Sequence, residues 1–291
     1  GVRVRKSFLL ILLVMTITTS AVLAQSGLNR DQIAQIATSV VQILALDNGE
    51  PFATGSGTIV DSTGVIYTNR HVVEGAEDFA ILISEDMREV PVLRYYASLV
   101  GMSENMDFAI LQIDRDEDGD EIDADRLNLP TVPIGKTDIG HGDRVYIFGY
   151  PGIGEGYLVL TQGTITTIEN GTVSGDRLPV WYQTDAEISP GNSGGLVVNE
   201  LGEFIGIPTA VQSEERTLGR LGGILPMTAI AALLKSGDQL TTQPQSNKPD
   251  TPVVTTGGVH VDCENNVSFD NGVEIIVRQM RSGFTYTATA I

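Results

Sequence analysis

Cysteine is nearly absent. Cys263 is the only one in 291 residues, so no intrachain disulfide can form and the fold must rest on packing. Basic residues are also scarce, with 18 Lys and Arg against 37 Asp and Glu and a formal net charge of −19. Such a chain would repel phosphate backbones and anionic lipid, which argues against nucleic-acid and membrane-surface partners. Histidine is the third shortage: His71, His141 and His260 are the whole supply, so any chemistry that needs an imidazole has three candidates. What is present in quantity is apolar material. At 42% hydrophobic residues the chain can bury one large core or two modest ones.

The amino terminus, "GVRVRKSFLLILLVMTITTSAVLAQS", places Arg3, Arg5 and Lys6 before an apolar run from Phe8 to about Ile17. The run is short for a membrane span, and Val22 and Ala24 occupy the −3 and −1 positions of a cut after Ala24. Residues 1–24 therefore read as a secretory signal peptide, with an uncleaved anchor as the alternative. A secreted or periplasmic, cell-envelope location follows from the first reading.

From "NRDQIAQIATSVVQILAL", a helical candidate, the chain passes into short β-rich runs separated by Gly, Asp and Asn between about Pro51 and Pro226. Even spacing of such runs indicates an antiparallel sandwich or barrel. "MTAIAALLKSG" closes the region as a helix with Gly237 as its stop. Residues 239–257 are Thr-, Gln- and Pro-rich and read as a linker. Residues 258–291 alternate like strands and are too few for a core of their own, so they read as part of a further β domain.

One stretch interrupts the strand pattern with a polar knot, "QTDAEISPGNSGGLVV", in which Pro190, Gly191, Asn192, Gly194 and Gly195 surround Ser193. It reads either as a hairpin turn or as a loop that converges amide N–H groups near a hydroxyl. A serine attacks only when a base takes its proton and an acid holds that base in one tautomer. His141 lies in a turn and His260 beyond the linker, which leaves His71 in "YTNRHVVEGA" as the candidate base; a structural histidine is the alternative. The candidate acid is Asp107, at the mouth of the apolar strand "DFAILQI", where partial desolvation suits an acid that stays ionised. The order His71, Asp107, Ser193 in an all-β chain is that of chymotrypsin-type proteases.

The segments "GSGTIVDSTGVIYTNRHVV", "DFAILQI", "GYPGIGEGYLVLTQGTITTI", "QTDAEISPGNSGG" and "GGILP" resemble those of the trypsin-like HtrA/Deg serine proteases over about residues 31–238. The resemblance implies a chymotrypsin/trypsin-like double antiparallel β-barrel, with barrels at about 31–128 and 131–238. It makes His71 the general base, Asp107 its orienting acid and Ser193 the nucleophile. It puts the oxyanion hole on the amides of Gly191 and Ser193, and Ile188, Thr209 and Ala210 around the substrate pocket. Successive residues of an extended segment face opposite ways, so Ile188 rather than Glu187 is expected in that pocket, favouring small aliphatic substrate residues. Polypeptide substrates are implied and no cofactor is. A catalytically silent binding or chaperone module and an esterase are the rival readings.

The chain departs from the family at Arg70, where Asn or Ala is usual, and at Leu196, where Pro is common; no PDZ signature follows the protease region. Asn192 replaces the acid that pairs with a newly cut amino terminus in digestive relatives, so activation by that route is not expected. Finally, Asp114, Asp116, Asp118 and Asp125 around Gly119 come close to a calcium loop. Glu121 at the position that wants an apolar residue favours a solvated acidic hairpin instead, and no metal is expected.

Overall fold

The apolar alternation between residues 40 and 226 folds into two closed, six-stranded antiparallel barrels in the computed structural model. The structure describes residues 27–135, 138–151, 156–214, 219–236 and 240–242, and the backbone of four strands between 259 and 290. Side chains of residues 210–221 and of those four strands are outside the description. The expected signal peptide at 1–24 and most of the expected linker also lie outside the described residues.

The first barrel is built from β1 (Val40–Asp47), β2 (Glu50–Asp61), β3 (Val65–Thr68), β4 (Asp78–Ile83), β5 (Val92–Met102) and β6 (Ala109–Asp116), closed in the order β1-β2-β3-β6-β5-β4. The second uses β7 (Arg144–Gly149), β8 (Val159–Val173), β9 (Asp176–Thr184), β10 (Leu196–Val198), β11 (Phe204–Glu214) and β12 (Gly219–Pro226), in the order β10-β11-β12-β9-β8-β7. Closing each sheet on itself leaves no unpaired edge.

Among the described residues, three α-helices flank the barrels: α1 (Arg30–Ala37), the single turn α2 (Arg70–Val73) and α3 (Met227–Ser236). The helix expected across 29–46 is shorter than the sequence pattern implies. It starts at an Asn29 capping box with Gln32 and ends at Ala37. Thr38 and Ser39 turn their hydroxyls back onto the Gln35 and Ile36 carbonyls, and the β-branched pair Val40–Val41 begins β1. β-Branched residues favour strand where both faces find a core.

Each barrel has its own interior. Ile43, Ile59, Ile66, Phe79, Ile81 and Leu111 fill the first; Val145, Ile147, Ile165, Tyr182, Val197 and Ile224 fill the second. A third cluster joins the two, drawing Val40 and Phe108 from one barrel, Phe148, Leu196 and Phe204 from the other, and Met227 and Ile230 from α3. This shared core sets the barrels side by side with a cleft between them. After α3 the chain returns to the first barrel, where Thr241 exchanges backbone hydrogen bonds with Met102 at 2.9 and 3.0 Å. Strands β13 (Val259–Val261), β14 (Asn266–Phe269), β15 (Val273–Met280) and β16 (Gly283–Ala290) form an antiparallel meander in chain order.

Candidate active site

His71 and Asp107 come from the first barrel and Ser193 from the second. His71 sits in the one-turn helix α2, whose apolar residues Val72 and Val73 are buried and anchor it on the barrel wall. Asp107 precedes Phe108, which is fully buried with its ring edge-on to Tyr67 at 5.0 Å between centroids. That anchor holds the carboxylate at the mouth of β6.

The two side chains meet directly, His71 Nδ1 to Asp107 Oδ2 at 2.8 Å. The backbone N–H of His71 donates to Asp107 Oδ1 at 3.0 Å, and Asn69 Nδ2 donates to the Asp107 carbonyl at 2.8 Å. With the carboxylate on Nδ1, the Nε2 side of the ring is left for proton transfer. Burial works against the Asp107 charge, yet the hydrogen bonds from His71 and Thr209 outweigh it and hold the carboxyl below the ordinary aspartate range. The acid is therefore ionised at neutral pH.

Thr209 is the contact that the sequence reading did not anticipate. Expected to line the pocket, it turns its hydroxyl onto Asp107 Oδ2 at 2.5 Å, and its carbonyl accepts from Ser193 Oγ at 3.5 Å. It can do so because it is the extra residue of a bulge: Pro208 pairs with Ile224 and Ala210 with Gly223, leaving Thr209 without a cross-strand partner. Bulges re-aim side chains in this way, and Pro208 inside an otherwise regular strand was the readable sign of one.

The glycine knot follows from two requirements. Asn192 N–H donates to the Ser189 carbonyl at 3.0 Å. This closes a turn with Pro190 and Gly191 in the middle, and Gly191 has φ 100°, the geometry of a type II turn. Gly194 has φ 84°, and a Cβ there would come within 2.2 Å of the Ser56 carbonyl and of Thr68 Oγ1. Within the described residues, the N–H groups of Gly191 and Ser193 have no intramolecular acceptor, whereas those of Asn192, Gly194 and Gly195 do. Two unengaged donors beside a hydroxyl form an arrangement able to hold a developing oxyanion. Ser193 Oγ rests on Thr209 rather than on His71, so it must swing to reach the imidazole; such bonds commonly tighten only with substrate bound.

Glu187 is exposed and Ile188 is 4% exposed. Ile188 lies against Gly222, where an added Cβ would meet Ile188 Cδ1 at 2.5 Å. Glu187 is fixed through its carbonyl, which accepts from Thr161 Oγ1 at 2.8 Å. Ala210 lies on β11 next to the bulge, with its side chain outside the description.

The other singled-out residues fall away from this cleft. Arg70 reaches back to the carbonyls of Ser103 and Glu104 at 3.4 and 3.0 Å. Leu196 is wholly in the core, His141 is exposed before β7, and His260 is on β13. The acidic hairpin is occupied with itself: Asp116 Oδ1 accepts from the N–H groups of Asp118 and Asp120 at 3.1 and 2.9 Å, while Asp114 pairs with Arg115 and Ser98. Asp125 belongs to a separate 3-10 turn. Among the described residues, no three His, Cys, Asp or Glu side chains gather as a metal site. No described helix is long and apolar enough to cross a membrane.

Residues 55–207 match the family model of the trypsin-like peptidase domain. Protease Do-like 1, chloroplastic, of Arabidopsis thaliana is 30% identical over 204 residues, 68% of this chain and 42% of that one. Serine endoprotease DegS of Escherichia coli is 36% identical over 157 residues, 53% and 39% of the two chains. A protein named "Probable periplasmic serine endoprotease DegP-like" from Halomonas elongata is 39% identical over 158 residues, 54% and 29%. The chain thus spans less than half the length of these curated relatives. In fold it is similar to the Rv3671c protease of M. tuberculosis in its active form, with a TM-score of 0.54 at 24% identity over 73% of this chain and 86% of that one.

Proposed function

The chain belongs to the trypsin-like peptidase family, and we propose that it is a serine endopeptidase acting through His71, Asp107 and Ser193. The observation that carries this reading is Thr209, which bonds the acid on one barrel and the serine on the other. One residue thereby ties Asp107, and through it His71, to Ser193 across the cleft.

In the proposed reaction Ser193 Oγ attacks the scissile carbonyl carbon and its proton passes to His71 Nε2. The ionised Asp107 stabilises the resulting imidazolium. The carbonyl electrons collect on oxygen, facing the N–H groups of Gly191 and Ser193, each such donor contributing about 3 kcal/mol to the transition state. His71 then gives the proton to the departing amine nitrogen as the C–N bond breaks, leaving an acyl ester on Ser193. Water repeats the sequence with His71 as base, releasing the acid and restoring the hydroxyl. No step needs a cofactor.

Ile188, buried against Gly222 at the edge of the second barrel's core, is assigned to the floor of the primary pocket, where it would favour small aliphatic side chains before the cut. Glu187, turned outward, offers no buried carboxylate to receive Arg or Lys. Exposed or unfolded polypeptide is the proposed substrate class. Through the signal-peptide reading of 1–24, the proposed place of action is outside the cytoplasmic membrane or in the envelope.

The test is digestion of denatured casein and of a peptide library. Cleavage by the wild-type chain after Val, Ala, Ile or Leu, lost in Ser193→Ala, supports the proposal. Hydrolysis of small esters with casein untouched would make the protein an esterase. Dominant cleavage after Arg or Lys would overturn the pocket assignment.

A further inference from the structure

We infer that Ser56, on β2 of the first barrel, is a positioning residue for the oxyanion-binding amides of the second barrel. The inference rests on the proposed role of Ser193. Ser56 is 0% exposed, and each of its polar groups is engaged across the barrel junction or beside it. Its N–H donates to the Ser193 carbonyl at 2.9 Å. Its hydroxyl donates to the Gly191 carbonyl at 2.7 Å and accepts from the Tyr150 N–H at 2.8 Å. Its own carbonyl accepts from Thr68 Oγ1 at 2.7 Å. Any residue could supply the backbone contacts. The contacts to Gly191 and Tyr150 require a small hydroxyl side chain.

The Gly191 carbonyl controls catalysis through peptide geometry. In a planar trans peptide the C=O and N–H point in opposite directions, so fixing one end aims the other. The 193–194 plane is held at both ends, Ser193 C=O by Ser56 N–H and Gly194 N–H by the Pro208 carbonyl at 3.0 Å. The 192–193 plane is held at its carbonyl, which accepts from Gly195 N–H at 3.0 Å, leaving the Ser193 N–H free. The 191–192 plane is held by Ser189 at its N–H and by Ser56 Oγ at its carbonyl. This last plane lies between the two oxyanion donors. Its rotation therefore sets the angle between the Gly191 and Ser193 N–H groups.

Among the described residues no other donor reaches the Gly191 carbonyl, and Gly191, with no Cβ, resists rotation least of all residue types. Removing the hydroxyl would also leave the Tyr150 N–H without its acceptor, in a residue 1% exposed. The first barrel thus supplies the imidazole and, through Ser56, also shapes the site that receives the oxyanion.

The experiment compares two ligands in the full chain. One is a peptide boronate, whose tetrahedral adduct on Ser193 places an oxygen against the Gly191 and Ser193 amides. The other is the matching uncleaved peptide, bound to chains carrying Ser193→Ala. Ser56→Ala is expected to lower kcat by about ten- to a hundredfold, less than outright loss of an oxyanion donor, with KM nearly unchanged. Boronate affinity should fall by a similar factor, while the uncleaved peptide binds Ser56→Ala/Ser193→Ala as it binds Ser193→Ala. Wild-type kcat and boronate affinity in folded Ser56→Ala would overturn the inference, as would equal loss for both ligands, which marks a merely structural role. If Ser56→Ala does not fold, Ser56→Cys decides by the same comparison, since its sulfur fills the site but donates weakly. A wild-type chain that neither hydrolyses peptide nor binds the boronate removes the protease proposal along with this one. An active wild type with an indifferent Ser56→Ala removes only this one.

Discussion

Thr209 Oγ1 donates to Asp107 Oδ2 at 2.5 Å, a bond from a bulge in the second barrel to the acid of the first. It shares that carboxylate oxygen with His71 Nδ1 at 2.8 Å, so it fixes where the imidazole can sit.

Thr209→Val keeps the shape and removes this donor. A hydrogen bond to a charged group contributes roughly 1.5 kcal/mol or more, so kcat/KM should fall about tenfold. Thr209→Ser should keep most of the activity. Steady-state hydrolysis of a Val-containing peptide checks both, and an unimpaired Thr209→Val would show that the bond has no role in catalysis.

Asp107 carries a pH prediction for stability. Its folded-state value lies below the ordinary 3.8, so its hydrogen bonds stabilise the fold above that pH. The contribution disappears as pH falls through the lower folded-state value. Melting of Ser193→Ala and of Ser193→Ala/Asp107→Asn, which avoids self-digestion, should differ above pH 3.8 and converge as the pH falls progressively below it. A gap that stays constant over this window would contradict the coupling.

Gly194→Ala should be among the most damaging single changes. The residue has φ 84°, and the new Cβ would lie 2.2 Å from the Ser56 carbonyl. Left-handed backbone alone costs a non-glycine residue about 1–2 kcal/mol, and relieving the clash must shift Ser193. A displacement near 1 Å can cost about a hundredfold in rate, so a chain that folds should still show at least that loss in kcat.

Ile188→Ala tests the pocket. Truncating this buried side chain should cost about 2–4 kcal/mol in stability and open space beside Gly222. Peptide profiling should then show the preference moving from Val and Ala toward Leu, Met or Phe; an unchanged profile would place the pocket elsewhere.

Much of this site was legible in sequence because its parts are local. The Pro190–Gly195 knot needs glycine wherever φ is positive or another segment of the chain approaches closely, and the buried Phe108 follows Asp107 directly. Thr209 and Ser56 were harder. Their roles depend on contacts 102 and 135 residues away, to Asp107 and to Gly191, and neither residue type is unusual in a strand. The first helix ends short of its sequence pattern for a related reason: "VVQILAL" is apolar enough for either element, and only pairing of Val40 with Thr58 and of Gln42 with Leu82 makes it a strand.

The central claim is that Ser193 is a nucleophile activated by His71, and covalent labelling tests it most directly. After incubation with a fluorophosphonate, intact-mass spectrometry should show one adduct, mapped by digestion to Ser193. Folded His71→Ala should label slower by about a hundredfold or more, the scale of general-base assistance, and Ser193→Ala should not label. No adduct on the folded wild-type chain, an adduct on another residue, or His71→Ala labelling at the wild-type rate would contradict the account.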